Sequence, residues 1–218
     1  MGKKKSGKLG LLLGIAGALG VGAYLWGDGL RFANEYEQKN GVPRADGHPL
    51  QTITLPKRNK IRYLDPTEAA VLSNGLLYFG QPSCPYCRNA APVLLQLAAQ
   101  RGITVSYVAT ETWRDTYVLK DGQPVRESAG GPGYEACLYR YADYLQDYTL
   151  EGEDGQQVPV GEKRIYVPLL VRIVNGKVVG TWSTDSVDPS LLPQDKYELW
   201  NDDQRAAVMQ SMAAHLGL

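Results

Sequence analysis

A short apolar run, Leu76-Leu77-Tyr78-Phe79, leads within five residues into Cys84-Pro85-Tyr86-Cys87, and a helical pattern follows at once. The run suits a buried strand. From Pro85, the apolar positions Ala90, Ala91, Val93, Leu94, Leu95, Leu97 and Ala98 predict a helix that stops at Gly102. Ile103 to Ala109 alternates and reads as the next strand. Strand, helix and strand over about thirty residues make a right-handed crossover unit, which restricts the fold to a sheet with parallel neighbours and helices packed on it.

The flanking sequence extends this unit. Asp65-Pro66-Thr67-Glu68 supplies a cap, a proline at the first helical position and an early acid, predicting a short helix to about Ser73. Val167 to Val174 and Lys177 to Trp182 are two β-rich runs joined by Asn175-Gly176, the strongest short-range hairpin signal. Asp202 to Leu216 closes the chain as an amphipathic helix. The organised body over 60–218 therefore reads βα, βα, a long insert, ββα. Residues 28–59 read as a helix, Gly29 to Asn40, and then a spacer around one strand-like piece, Gln51 to Leu55.

The N-terminus carries a different signal. Lys3, Lys4, Lys5 and Lys8 precede an uncharged apolar run from Leu9 to Trp26. That is how a signal peptide or signal-anchor begins, so 1–27 is expected to be one or the other. The run's 18 residues lie at the short end of what a spanning helix needs. The body is then expected on the outer side of a cell membrane, or secreted if the segment is cleaved. Across the chain, 23 basic and 23 acidic residues cancel, so net charge gives no case for nucleic acid. The short basic run Lys57 to Arg62 reads as solvated surface.

At the strand–helix junction the Cys84 sulfur would face free backbone N–H groups and the positive end of the helix dipole. Both favour the thiolate, the nucleophile of disulfide exchange. Cys87, one turn further on, is placed to attack a mixed disulfide on Cys84 and release the bound thiol. Two other readings stay open on the residues alone. One is a structural disulfide, since exported proteins rarely keep such a pair reduced and idle. The other is Cu(I) handling by soft thiolates, although Cys137, His48 and His215 are scattered without metal-site spacing. Cys137 reads as a packed thiol, with a relay disulfide as the alternative.

The chain resembles the thioredoxin superfamily, with a Cys-Pro-Tyr-Cys centre of the glutaredoxin type. The resemblance rests on Tyr78-Phe79-Gly80, on Cys84-Pro85-Tyr86-Cys87, on Pro92 five residues past the second cysteine, and on Val167-Pro168. It covers about 60–110 and 163–216 and is nearest to membrane-anchored or secreted thioredoxin-like proteins of Gram-positive bacteria, including bacteriocin-transport accessory proteins. It implies an α/β thioredoxin fold, a central mixed sheet flanked by helices, with a long insert at about 112–162 before a cis-proline and an N-terminal apolar helix ahead. It also implies that Cys84 and Cys87 form a redox-active disulfide with no other cofactor and no metal. Pro85 and Tyr86 would tune the pair, and Val167-Pro168 would present the substrate backbone. Two positions depart from the pattern: Ser83 stands in place of a tryptophan, and Tyr78 in place of a buried acid. The proton acceptor for Cys87 is thereby left unassigned, with Glu68 as the candidate.

The expected function is an extracytoplasmic thiol–disulfide oxidoreductase, tethered through residues 9–26 and exchanging disulfides with exported proteins or peptides. A membrane redox partner would recycle it. The alternatives are a non-catalytic accessory module that holds an exported client, and a Cu(I)-handling protein. Within the insert, a helix is expected from Tyr134 to Tyr148, and Gly130-Gly131-Pro132-Gly133 as a hinge for partner selection.

Overall fold

The structure, a computed structural model, describes residues 27–218. The apolar run 9–26, with the anchor expected there, lies outside the described residues. Among the described residues no helix is long and apolar enough to cross a membrane.

In chain order the elements are helix α1 (27–37), β1 (Ile61–Tyr63), α2 (Pro66–Ala70), β2 (Gly75–Gly80), α3 (Pro85–Arg101) and β3 (Val105–Ala109). The insert adds β4 (Thr116–Lys120), β5 (Gln123–Ser128), α4 (Tyr134–Tyr141), β6 (Gln146–Glu151) and β7 (Gln157–Arg164). The chain ends with β8 (Leu169–Val174), β9 (Lys177–Ser183) and α5 (Asp202–Leu216). The central sheet has the order β1-β3-β2-β8-β9, with β3 parallel to both β1 and β2, and β8 antiparallel to β2 and β9.

Alternation along β2 sets the layers. Leu76 and Tyr78 point into one core with Phe32 and Tyr36 of α1, Cys87, Leu94 and Leu97 of α3, and Val208 and Met212 of α5. Leu77 and Phe79 point into the other, with Ala69 of α2 and Tyr134, Cys137 and Tyr141 of α4. Successive strand side chains face opposite ways, and helices cover both sides, so β2 reads as unbroken apolar sequence. The result is a mixed sheet flanked by helices, compatible with a thioredoxin-like fold.

Local chemistry fixes most element ends. Asp65 and Glu68 form a reciprocal capping box at α2, and Asn201 and Gln204 form another at α5. Gly102 and Gly217 end their helices in the left-handed conformation. Asn175 and Gly176, at φ 50° and 75°, make the two-residue turn between β8 and β9.

Three expectations are corrected. Residues 41–60 are no free spacer: Leu50, Ile53 and Leu55 are buried, and α1 packs Phe32 and Tyr36 into the same core. Gln51 to Leu55 is extended and alternately buried, but unpaired with any strand. The insert helix stops at Tyr141, because Tyr148 is drawn into a β6–β7 hairpin where the Arg164 guanidinium stacks on its ring at 3.8 Å. The insert also contains a second hairpin, β4–β5, that the sequence reading omitted.

Candidate active site

β2 ends at Gly80, whose carbonyl accepts the Thr110 N–H at 2.9 Å and the Thr110 and Tyr107 hydroxyls at 3.2 Å. From this fixed point the chain turns through Gln81, Pro82 and Ser83 into α3, and the Cys84 N–H donates to the Gln81 carbonyl at 3.2 Å. Cys84 is the N-cap of α3, with extended backbone, and its sulfur accepts the Cys87 N–H at 3.4 Å. The free amides of the first turn, usually met by a Ser, Thr, Asp or Asn oxygen, here face a sulfur. The Cys84 thiol also reaches the Val167 carbonyl at 3.5 Å, and the Val167–Pro168 peptide bond is cis. Two segments far apart in sequence thus meet at one atom.

The two thiols differ in proton affinity. Cys84 is held below the ordinary thiol value, first by the hydrogen bond from the Cys87 thiol. Burial opposes this, while the Cys87 and Tyr86 backbone N–H groups and the Arg114 charge add to it. Burial pushes Cys87 well up, and the neighbouring Cys84 thiolate adds to the effect. Cys84 retains 8% exposure and Cys87 none, so only Cys84 is open to an incoming sulfur. This geometry suits one accessible low-pKa nucleophile with a buried partner behind it.

Of the other residues singled out from sequence, Pro85 is buried and Tyr86 is exposed at the rim. Tyr86 borders a groove of about 560 Å³ lined also by Thr184, Val187, Leu192 and Pro193. On the other side, Val167 and Pro168 share a cleft with Tyr144, Gln146, Arg164 and Tyr166, so the insert borders the site directly. Pro92 lies within α3, which runs on to Arg101.

Glu68 is corrected as the candidate proton acceptor. Its carboxylate is half-exposed, bonds the Asp65 N–H in the α2 capping box and sits beside Arg62. Cys137 lies in the core on the opposite face of the sheet, donates to the Pro66 carbonyl at 3.1 Å and is pushed up by burial to about 12. That placement is a packed thiol and not a relay. The Gly130–Gly133 stretch, expected as a hinge, is closely packed. A Cβ at Gly131 would meet the Trp113 ring at 2.4 Å, and one at Gly133, where φ is +80°, would meet the Thr67 nitrogen at 2.4 Å. Close packing against α2 and Trp113 requires these glycines. His48 stacks on Tyr197, and no group of three or more His, Cys, Asp and Glu able to hold a metal occurs among the described residues.

Sequence reasoning missed four contributors. Gln81 accepts from the Arg114 guanidinium at 2.8 Å and so carries the insert's first charge toward Cys84. Arg88, buried in α3, holds the carbonyls of Tyr36, Gln51 and Pro82. Tyr36 bonds Tyr78 beneath the cysteines. Only Arg88 left a sequence signal, an arginine on the apolar face of a helix pattern.

Among curated proteins, none matches this chain. A family model described as TraF, F plasmid transfer operon protein, matches residues 54–123, a span that holds β1 through β4 with both Cys84 and Cys87. The match covers less than half of the chain. It makes this region similar to a thioredoxin-like family.

Proposed function

We propose that the protein is a thiol–disulfide oxidoreductase acting on exported proteins outside the cytoplasm, tethered through residues 9–26. The observation that carries this reading is the Cys84 sulfur. It caps α3, lies 3.5 Å from the carbonyl before a cis-proline, and has the protonated Cys87 buried behind it. Cys84 attacks a client disulfide, or is attacked by a client thiolate when oxidised. Cys87 resolves the mixed disulfide. Pro85 and Tyr86 tune the pair, the Val167 backbone aligns the client chain, and a membrane partner recycles the cysteines. The similarity of 54–123 to a plasmid transfer family, and the resemblance to bacteriocin-transport accessory proteins, both point to clients that leave the cytoplasm.

The test is to equilibrate the full-length chain in graded thiol buffers and count trapped thiols by mass. A reversible two-electron couple, lost in Cys84→Ala and in Cys87→Ala, is expected. A value near −270 mV would mean a reductase, and one near −120 mV a disulfide donor. A pair that never cycles would leave a structural cross-link or a binding module.

A further inference from the structure

Cys87 must give up its proton to close a disulfide with Cys84, yet it is fully buried and burial opposes its ionisation. The ionisable groups that face it are Cys84 at the start of α3, Tyr36 of α1, Tyr78 of β2, Tyr107 of β3, and Arg114 beyond β3. Among the described residues these are a thiol, three phenol hydroxyls and a guanidinium, with no carboxylate or imidazole. Arg114 is engaged with Gln81, and the Tyr107 hydroxyl donates to the Gly80 carbonyl at 3.2 Å. Tyr36 and Tyr78 remain, fully buried, with their hydroxyl oxygens 3.0 Å apart. Between two hydroxyls one proton bridges the oxygens and the other stays available. If Tyr36 donates to Tyr78, the Tyr78 proton is free for an acceptor beyond the pair.

Gly80 shows where that proton is carried. A Cβ built there would lie 2.5 Å from Tyr78 Cζ and 2.6 Å from its hydroxyl oxygen. The ring therefore folds along β2 over Gly80, bringing the hydroxyl to the strand end from which the chain turns into Cys84 and Cys87. We infer that Tyr36 and Tyr78 form a two-hydroxyl chain that donates to the Cys87 sulfur and stabilises its thiolate in the resolving step. The inference rests on the exchange reading above. In that step the Cys87 thiolate attacks Cys84 Sγ, the Cys84–Cys87 bond forms, and the Cys84–client bond breaks. The client sulfur leaves with the electron pair and takes up a proton equivalent to the one Cys87 released. The pair ends oxidised and the client thiol reduced. Both tyrosines keep their protons, since burial holds them well above the ordinary phenol value. Tyr78 is the donor to the reacting sulfur, and Tyr36 is a positioning residue.

The experiment is stopped-flow reaction of the reduced full-length chain with Ellman's disulfide across pH. The first thionitrobenzoate comes from attack by Cys84 and the second from resolution by Cys87. A slow phase from buried Cys137 is identified with Cys137→Ala. Tyr78→Phe, which keeps the ring, is expected to slow the second phase roughly ten- to hundredfold at neutral pH. Its pH midpoint should rise while the first phase is unchanged. Tyr36→Phe should give a smaller change of the same sign, and Gly80→Ala, which displaces the hydroxyl, should follow Tyr78→Phe. A second phase in Tyr78→Phe with the parent's rate and midpoint overturns the inference while leaving the exchange reading intact. A parent chain with no second phase overturns both.

Discussion

Arg88 follows Cys87 directly and is fully buried, and the acceptors around its guanidinium are oxygens of neutral groups. Nε and Nη2 donate to the Gln51 carbonyl at 3.0 and 2.6 Å, and Nη1 to the carbonyls of Tyr36 at 2.7 Å and Pro82 at 3.0 Å. Nη2 also bonds Asn40 Oδ1. One side chain thus ties α1, the extended segment at Gln51 and the turn before Cys84 to the active-site helix. In Arg88→Met, the Tyr36 carbonyl would keep the Lys39 N–H at 3.2 Å, and Asn40 Oδ1 the Ile53 N–H at 3.1 Å. The carbonyls of Gln51 and Pro82 would be left unpaired. Two buried orphans at about 1–3 kcal/mol each give a loss of about 2–6 kcal/mol. No longer burying a charge offsets part of it, so a net loss of about 2–4 kcal/mol is expected, against a typical total of about 5–15. Urea unfolding of the reduced chain, followed by tryptophan fluorescence, should show a midpoint lower by about 1–2 M. Arg88→Lys should recover little, because an ammonium cannot span the fork of acceptors. A midpoint within about 0.2 M of the parent for Arg88→Met, too small a shift at ordinary slopes for even one orphan, would refute the accounting.

Arg114→Met removes a half-buried cation that favours the Cys84 thiolate, so the pH midpoint of iodoacetamide alkylation at Cys84 should move up toward the ordinary thiol value. The same shift predicts a pH dependence of stability. Because the Cys84 folded value is depressed, the reduced fold gains stability as pH rises from that value to the unfolded one, and loses it as pH falls back. Cys87, with a raised folded value, makes the reduced fold less stable as pH climbs beyond the ordinary thiol value. Chemical denaturation of the reduced chain across pH should therefore pass through a maximum between these limits, and Arg114→Met should flatten its acid side. Cys137→Ala, on the far face of the sheet, should cost about 1 kcal/mol of burial and leave the redox couple unmoved. A displaced potential would place Cys137 back in the electron path.

Elements bounded by local chemistry were legible. Asp65 with Glu68 marks the start of α2, Gly102 the end of α3, and Asn175-Gly176 the β8–β9 turn, each acting on backbone groups within a few residues. The helix expected to run to Tyr148 failed because its last residues gain more from β7 and the Arg164 ring contact than from another helical turn. Periodicity carries no record of such a partner. The supposed spacer failed similarly. Ile53 and Leu55 look like unremarkable residues between prolines until α1 and α3 provide the core they fill.

For the site, the sequence by itself determined the nucleophile's position, since strand, cysteine and helix follow one another and the helix end points its amides at whatever residue caps it. It also supplied the second thiol one turn away. Only the tertiary structure decided what surrounds them. The Val167 carbonyl, just before the cis-proline, comes to Cys84 from a segment 83 residues on, Arg114 comes from beyond β3, and Tyr36 from a helix ahead of the sheet. Proton affinities at these sulfurs depend on burial, at Cys84 also on the distant Arg114 charge, and at Cys87 on Tyr78. These are properties of the packed core, where residues remote along the chain become neighbours.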